Sequence, residues 1–546
     1  MNNTYYYNTP SVDIDYNIHL MGAGTSRTFR GNVILIGSGG SGRSTLIQRL
    51  LTGNYTYGLP VTHIAEQHEI TFNHTHFDSI PSKSCLKLSI VDYCGHSHYT
   101  PTLSFLTTDK SIYVIFYDMV CSYDVNYINS RVENITNQYG NVPILLVGLK
   151  ADVKEWDLRV PFEALKTAYP HIVNTCVMSL SSKTGEGISE FVKILVSTVM
   201  NLDYTHTSVP YSDFEKKVQN MMALSISNGY VPQYTLDEMY KVYDQLYATR
   251  CTISAHEALQ FAISMGTIIM SPDEKTVIDR MWFVRMTQHL ITHAPDKVKK
   301  NPESLYKQGR FKQSHVDMET IWDVDDGYTR SMHYDMLSIL RAFKLISEPF
   351  KCDDAELYNM VYIMRPCDNF SYDWSLRNIL TKLEADVPLV SANTLGIMFR
   401  LNTGTFDQMS HIYAACDSEF IIKHELCSRS CINLHDMDSR AYIYCRDSDY
   451  YVIVRGINPM HMRNKICSII MNLWRTMYPY MNTVTQYLIC HRCKMNILFN
   501  RRDLAKAIRK KRHYMCCNMC TDAHVELYCG DFINPNYGET TNSIVD

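Results

Sequence analysis

The nine residues Gly37-Ser38-Gly39-Gly40-Ser41-Gly42-Arg43-Ser44-Thr45 constrain this chain more than any other stretch. They follow an apolar run, Val33-Ile34-Leu35-Ile36, and open an amphipathic segment, Leu46-Ile47-Gln48-Arg49-Leu50-Leu51. Strand, glycine-rich turn and helix start is the context in which such a pattern becomes a phosphate-binding loop. The glycines let the backbone fold tightly, so that consecutive N–H groups converge on an anion at a helix N-terminus. Ser44 stands where a hydroxyl would ligate Mg²⁺, and Arg43 stands where the pattern carries a lysine. The alternative at this stage is a glycine-rich turn that holds no ligand.

A chain of 546 residues exceeds one core, so several domains are expected. From residue 30 to residue 203, apolar strands alternate with helical patterns. The expected strands are Val33–Ile36, Leu86–Val91, Ile112–Tyr117, Ile144–Val147 and Thr175–Met178. The last helix carries Ile188, Phe191, Val192, Leu195 and Val199 on one face. This alternation predicts a mostly parallel sheet covered by helices on both sides. Ligands of such sheets bind at the carboxyl ends of the strands, and the special residues fall there. Asp92-Tyr93-Cys94-Gly95 follows the second expected strand, with a Mg²⁺-linked acid and a γ-phosphate-sensing glycine. Leu149-Lys150-Ala151-Asp152 follows the fourth. There Asp152 would accept from the two N–H donors of a guanine edge, and the Lys150 stem would cover the base. Ser181-Ser182-Lys183 follows the fifth and would close over the same base.

In order and spacing these stations resemble the Ras-like GTPases. Thr62, in Pro60-Val61-Thr62-His63-Ile64, matches the first switch threonine of that family, which is a Mg²⁺ ligand. His96 follows Gly95, where many members place the glutamine that orients water. It either positions that water or is a surface histidine. Two residues depart from the family. Arg43 replaces the lysine that reaches the β- and γ-phosphates, and arginine is longer, planar and forked. Leu149 replaces the polar residue that opens the base-recognition motif and ties it to the phosphate loop. Both departures weaken nucleotide affinity in expectation.

Beyond Tyr204 the pattern turns helical. Ala258–Met270 reads as a helix ending at Gly266 and passing into a strand; Thr276-Val277-Ile278-Asp279 then precedes Met281-Trp282-Phe283-Val284 and a helix. A further helix lies around Tyr334–Phe343 and a strand at Val361–Met364, the plan of a winged-helix module. With Met398-Phe399-Arg400-Leu401 and Tyr450-Tyr451-Val452-Ile453-Val454-Arg455-Gly456 following, the tandem resembles the Roc–COR arrangement of the Roco family. Residues 1–29, rich in Asn, Tyr, Thr and Ser without periodicity, read as a disordered tail, and the resemblance implies a Roc domain over 30–203, COR-A over 204–368 and COR-B over 369–486. A zinc knuckle over 487–530 and a second disordered tail over 531–546 complete the expected layout. The fold class expected is an α/β P-loop GTPase domain, a mostly helical winged-helix-like COR-A half, an α+β COR-B half and a small zinc-bound C-terminus. Leucine-rich repeats and the kinase of many relatives are missing from this sequence.

Cys490-His491-Arg492-Cys493 and Cys517-Asn518-Met519-Cys520 are paired Cys-x-x-Cys knuckles. Thiolates so spaced suit one structural Zn²⁺; buried free thiols are the alternative in a chain with 18 cysteines. The basic run between them, from Arg501 to Arg512, reads as a solvated face, since no aromatic side chains interleave to stack bases. With a net charge of −4 and no apolar run long enough to span a bilayer, nucleic acid and membrane are not expected partners, and a cytoplasmic location is.

The resemblance implies a guanine-nucleotide-binding protein with GTP or GDP and Mg²⁺ as cofactors. It implies slow GTP hydrolysis, coupled to COR-mediated homodimerisation in intracellular signalling. Arg43, Thr62 and His96 would act in the chemistry. The alternative is a degenerate GTPase that serves as a dimeric scaffold.

Overall fold

The computed structural model describes residues 4–5, 27–60, 62, 64–95, 105–120, 124–153, 160–202, 206–207, 209–247, 253–290, 309–319, 321–324, 327–352, 355–359, 376–388, 393–401, 409–417, 419–422, 427, 431–446, 449–481, 484–489 and 498–500. The chain divides into two compact units: residues 1–302 with 314–343, and residues 303–313 with 344–546.

The first unit opens with an α/β sheet. Its strands are β1 (Arg27–Gly37), β2 (Ala65–Asn73), β3 (Ser84–Tyr93), β4 (Ser111–Asp118), β5 (Ile144–Leu149) and β6 (Met178–Leu180), in the spatial order β2-β3-β1-β4-β5-β6. Only the β2–β3 pair is antiparallel among these neighbours. Helices α1 (Arg43–Thr52), α2 (Asp124–Tyr139), α3 (Phe162–Ala168) and α4 (Ile188–Met200) complete the domain. All of β5, and all of β4 but its last residue, is buried, as central parallel strands with both faces covered must be. Alternation then sorts the faces. Val33, Leu35, Leu88, Val114 and Val147 share one core with Leu46 and Leu50 of α1 and with Phe191 and Leu195 of α4. Ile34, Ile36, Tyr113 and Ile115 are buried as well, and in a strand they point to the opposite face.

The sequence reading needs two adjustments here. β2 was not expected. It is a half-exposed strand rich in polar residues, with Glu66, Gln67, His68 and Glu69 in succession, and its outer side pairs parallel with Thr4 and Tyr5, inside the 1–29 stretch expected to be a disordered tail. The last strand lies three residues later than Thr175–Met178. Asn174 explains the shift: its side chain accepts from the Leu146 N–H at 3.1 Å and donates to the Leu146 carbonyl at 3.0 Å and the Cys176 carbonyl at 2.9 Å. A buried side-chain amide thus takes the place of ladder bonds, and backbone pairing resumes only at Met178, opposite Val147.

The same unit continues with α5 (Val209–Ser227), β7 (Gln233–Thr235), α6 (Leu236–Tyr247), α7 (Ala255–Ser264), β8 (Ile268–Met270), β9 (Thr276–Asp279), α8 (Arg280–Gln288) and α9 (Arg330–Ala342), the last being the helix expected around Tyr334–Phe343. β8, β9 and β7 form an antiparallel ribbon. Phe214, Val218, Met239, Tyr243, Leu259, Ile268 and Val277 make its core, each apolar side chain contributing about 1.5–3 kcal/mol on burial. α7 starts in a capping box of Ser254 and Glu257 and stops before Gly266, whose φ of +71° no other residue adopts cheaply. Helix, ribbon and helix are as the sequence predicts, except that Met281–Val284 lies inside α8.

In the second unit, β10 (Arg310–Lys312), β11 (Phe350–Cys352) and β12 (Ala355–Asn359) form a small antiparallel sheet. α10 (Leu376–Asp386), β13 (Asn393–Leu401), α11 (Met409–Asp417), β14 (Ile421–Ile422), β15 (Cys431–His435), β16 (Ser439–Arg446), β17 (Asp449–Gly456), α12 (Pro459–Met477), β18 (Val484–Ile489) and β19 (Leu498–Asn500) follow. The seven strands lie in the order β14-β15-β16-β17-β13-β18-β19. Ile397, Phe399, Val452 and Val454 pack with Ile466, Ile470 and Trp474 of α12. Met398, Tyr451, Ile453 and Tyr442 pack on the other face with Leu383 of α10. The two motif strands are direct partners, with Phe399 opposite Tyr450 and Arg400 opposite Asp449. Arg455 donates to the Val387 carbonyl at 3.0 Å and to Thr394 Oγ1 at 3.0 Å, tying the sheet to the end of α10. The expected strand Val361–Met364, the knuckle cysteines Cys490, Cys493, Cys517 and Cys520, and the basic run lie outside the described residues. No helix among the described residues is long and apolar enough to cross a membrane.

Candidate phosphate and base site

The phosphate loop sits at the carboxyl end of β1. Gly40 and Gly42 have φ of +75° and +101°, so both positions need glycine. Gly42 is the N-cap of α1 without a side-chain cap, and no acid occupies the first turn. The N-terminal amides of α1 are therefore left for an anion, on the positive end of the helix dipole. Ser38, Gly39, Ser41 and Thr45 complete the loop and helix start as the sequence predicts.

Three hydroxyl and carboxylate groups converge beside it. Ser44 Oγ donates to Asp92 Oδ2 at 2.6 Å and lies 3.0 Å from Thr62 Oγ1, while Thr62 Oγ1 donates to the same Oδ2 at 3.3 Å. Asp92 is 1 % exposed, and its Oδ1 makes no hydrogen bond. Glu66 lies directly opposite Asp92 in the β2–β3 pair. Desolvation, and then Asp92, raise Glu66 above the usual carboxylate range. Burial holds His68 below the usual imidazole range, against the pull of Asp92. Hard oxygen ligands together with a buried carboxylate oxygen that makes no hydrogen bond fit Mg²⁺.

Arg43 takes a different course from the one a lysine there is expected to take. Its guanidinium is buried, donates through Nη1 to the Tyr93 carbonyl and lies 3.9 Å from Asp92 Oδ1. Gly95 packs directly on the loop: a Cβ there would lie 2.4 Å from Gly39 N and 2.7 Å from the Gly37 carbonyl oxygen. His96 lies outside the described residues.

The base corner is assembled across three strand ends. Lys150, at φ +69°, forms an ion pair with Asp118 at the end of β4. Asp152 Oδ1 accepts from Ser181 Oγ at 2.6 Å. Ser181 Oγ in turn accepts from the N–H groups of Lys183 and Thr184 at 3.2 and 3.0 Å, which fixes the Ser181-Ser182-Lys183 turn. The sequence reading missed Arg49, whose Nη1 donates to the carbonyls of Ser182 and Lys183 at 2.7 and 2.8 Å. Its only signal is a cation in the last turn of α1. Leu149 is buried near the loop, 4.0 Å from where a Cβ on Gly42 would stand. An apolar contact therefore replaces the polar tie that the family pattern carries there.

Sheet order, phosphate loop and base corner together define a Ras-like P-loop domain. Residues 32–201 match the sequence model of the Ras family. Among characterised proteins, the chain is similar to the probable serine/threonine-protein kinase pats1 of Dictyostelium discoideum. The two are 22 % identical over 278 residues, covering 49 % of this chain and 8 % of pats1. The chain thus spans a small fraction of that relative. A solved structure of Methanosarcina barkeri Roco2 RocCORdC bound to GDP is similar at 18 % identity and a TM-score of 0.46, over 62 % of this chain and 98 % of that one.

Proposed function

We propose that the chain is a Roco-type guanine-nucleotide-binding protein whose Ras-like domain binds GDP and GTP and hydrolyses GTP slowly. The observation that carries the reading is the convergence of Ser44, Thr62 and Asp92 beside an uncapped helix N-terminus, with Asp152 held by Ser181 at the neighbouring strand ends. The amides from Gly39 into α1 would bind the α- and β-phosphates. Asp152 would accept from the two guanine donors, an edge that adenine lacks, and the Lys150 stem would cover the base. Ser44, Thr62 and Asp92 would hold Mg²⁺, which when bound neutralises phosphate charge. Thr62 and the Asp92–Gly95 segment would respond to the terminal phosphate, and water would attack it in line. Arg43 would offset the charge that develops at the γ-phosphate once it turns toward it.

The reaction is proposed to be slow because no arginine finger or water-orienting glutamine is identifiable among the described residues. By the family resemblance the COR module, residues 204–486, would dimerise the chain, Cys490, Cys493, Cys517 and Cys520 would bind structural Zn²⁺, and the setting would be cytoplasmic signalling. The guanidinium of Arg43 turned toward Tyr93 favours one second reading, a dimeric scaffold with an impaired site.

Chromatography of the nucleotide released from the denatured protein, followed by titration with GDP, GTP and ATP in Mg²⁺, tests the reading. Selective guanine binding is expected. ATP-selective binding refutes it, and no binding leaves the scaffold.

A further inference from the structure

We infer that Arg43 selects the nucleoside diphosphate over the triphosphate, because its guanidinium also serves as the latch between the phosphate loop and the Asp92–Gly95 segment. The inference rests on the nucleotide-binding reading above. A lysine ammonium is a compact point charge on a flexible stem, free to follow a phosphate. Arg43 is placed otherwise. Its side chain crosses the first glycine of the loop, where a Cβ on Gly37 would lie 3.0 Å from Arg43 Cδ and 3.1 Å from Nε. The stem thus folds back over the end of β1, and the guanidinium ends beneath the next strand. There Nη1 holds the Tyr93 carbonyl and faces the buried Asp92 Oδ1, with 6 % of the residue exposed.

Gly95 lies two residues beyond that carbonyl, in backbone contact with Ser38 and Gly39. The cation at the start of α1 therefore holds the end of β3 just beyond the last ladder pair, Leu35 with Asp92. A diphosphate needs only the loop amides, and none of these contacts has to break. A third phosphate requires a cation for its added charge and room at Gly95. To supply the cation, Arg43 must leave the Tyr93 carbonyl, a charge-assisted hydrogen bond in a buried setting. Nε makes no hydrogen bond in the latched position, so the guanidinium is held at one corner of its fork and can exchange partners. Triphosphate binding bears the cost of unlatching, and diphosphate binding does not.

The test is titration of the full chain with Mg²⁺ plus GDP or a non-hydrolysable GTP analogue, in wild type and Arg43→Lys. Wild type should bind GDP tighter by on the order of tenfold or more, the scale of one such bond; Arg43→Lys should bring the ratio toward one. Hydrogen exchange of the Tyr93–Gly95 amides without added nucleotide is the second readout, and it should quicken in Arg43→Lys. Equal affinities in wild type overturn the selection while leaving nucleotide binding standing. An unchanged ratio, or unchanged exchange, in Arg43→Lys overturns the latch. No binding of either nucleotide by wild type overturns the nucleotide reading and the selection with it. The wild-type ratio needs no variant, so a misfolded Arg43→Lys chain still leaves a decisive measurement.

Discussion

Replacing Gly266 by alanine should destabilise the first unit by about 3–5 kcal/mol, an unusually large effect for one methyl group. Two costs add. The residue sits at φ +71°, where a side chain costs about 1–2 kcal/mol. The new Cβ would also lie 2.1 Å from the guanidinium carbon of Arg280. That group cannot simply swing away, because Arg280 is 1 % exposed. Burial pulls it down to about 10, against the pull of Asp279. Its Nη1 donates to the Leu106 carbonyl at 3.1 Å, while Nε and Nη2 make no hydrogen bond. Displacing it costs that charge-assisted bond, about 1.5–3 kcal/mol. Trp282 and Trp322, both buried in this unit, report its denaturant transition by fluorescence. In an Arg280→Met background the same Gly266→Ala change should cost only the backbone part, about 1–2 kcal/mol. The coupling between the two positions should then exceed about 1 kcal/mol. A cost below about 1 kcal/mol in wild type, or no coupling, would refute the reasoning.

Asp152→Ala should weaken guanine-nucleotide binding by at least about tenfold, since one charge-assisted bond contributes about 1.5–3 kcal/mol; an unchanged GDP affinity by calorimetry would remove Asp152 from the base site. Arg30→Met strands the carboxylate of Glu215, which is 1 % exposed and otherwise held by Arg30 and Thr267, and should cost about 3–5 kcal/mol in denaturant unfolding. Asp417 is raised to about 6, first by burial. A raised folded value makes the ionised form destabilising, so the second unit should gain roughly 1–3 kcal/mol as pH falls from above 6 toward 4. His411, pulled down to about 4 by burial, acts in the opposite sense over that window, so the difference between wild type and Asp417→Asn isolates the aspartate. If that difference does not depend on pH, Asp417 is not the titrating group. Metal analysis of the gently purified chain should find about one zinc per chain, lost on Cys490→Ser with Cys517→Ser; a zinc-free wild type would leave the cysteines as free thiols.

The central strands were legible because their apolar runs are continuous, and the phosphate and base motifs because glycine and acid fall at strand ends. Ser44, Thr62 and Asp92 lie far apart in the chain, and the resemblance to the Ras-like GTPases is what groups them in the sequence. What escaped was set by tertiary contact. β2 is mostly polar along its length, so its pairing with β3 is visible only once β3 exists. Asn174 looks like a loop residue until its amide is seen standing in for a ladder. Arg280 and Glu215 have no local signature, since a buried charge is recognised only by the partner that folding brings to it, and Arg49 shows only as a cation in the last turn of α1. Arg43 was read as a departure in chemistry; its direction follows from the bare Gly37 it crosses.

β1 has a consequence for how the protein can be dissected. Its far end ends in the phosphate loop, while Thr28 and Phe29, near its start, pair antiparallel with Thr207 and His206, beyond the last helix of the Ras-like sheet. Arg30 on the same strand engages Glu215 of α5. A polypeptide cut after residue 203 would keep every nucleotide motif, yet leave Thr28 and Phe29 without their antiparallel partners, and Arg30 without Glu215, at the root of the strand that carries the loop. Such a fragment should be slack where it needs to be rigid, so a nucleotide-binding fragment for solution work should extend at least through α5.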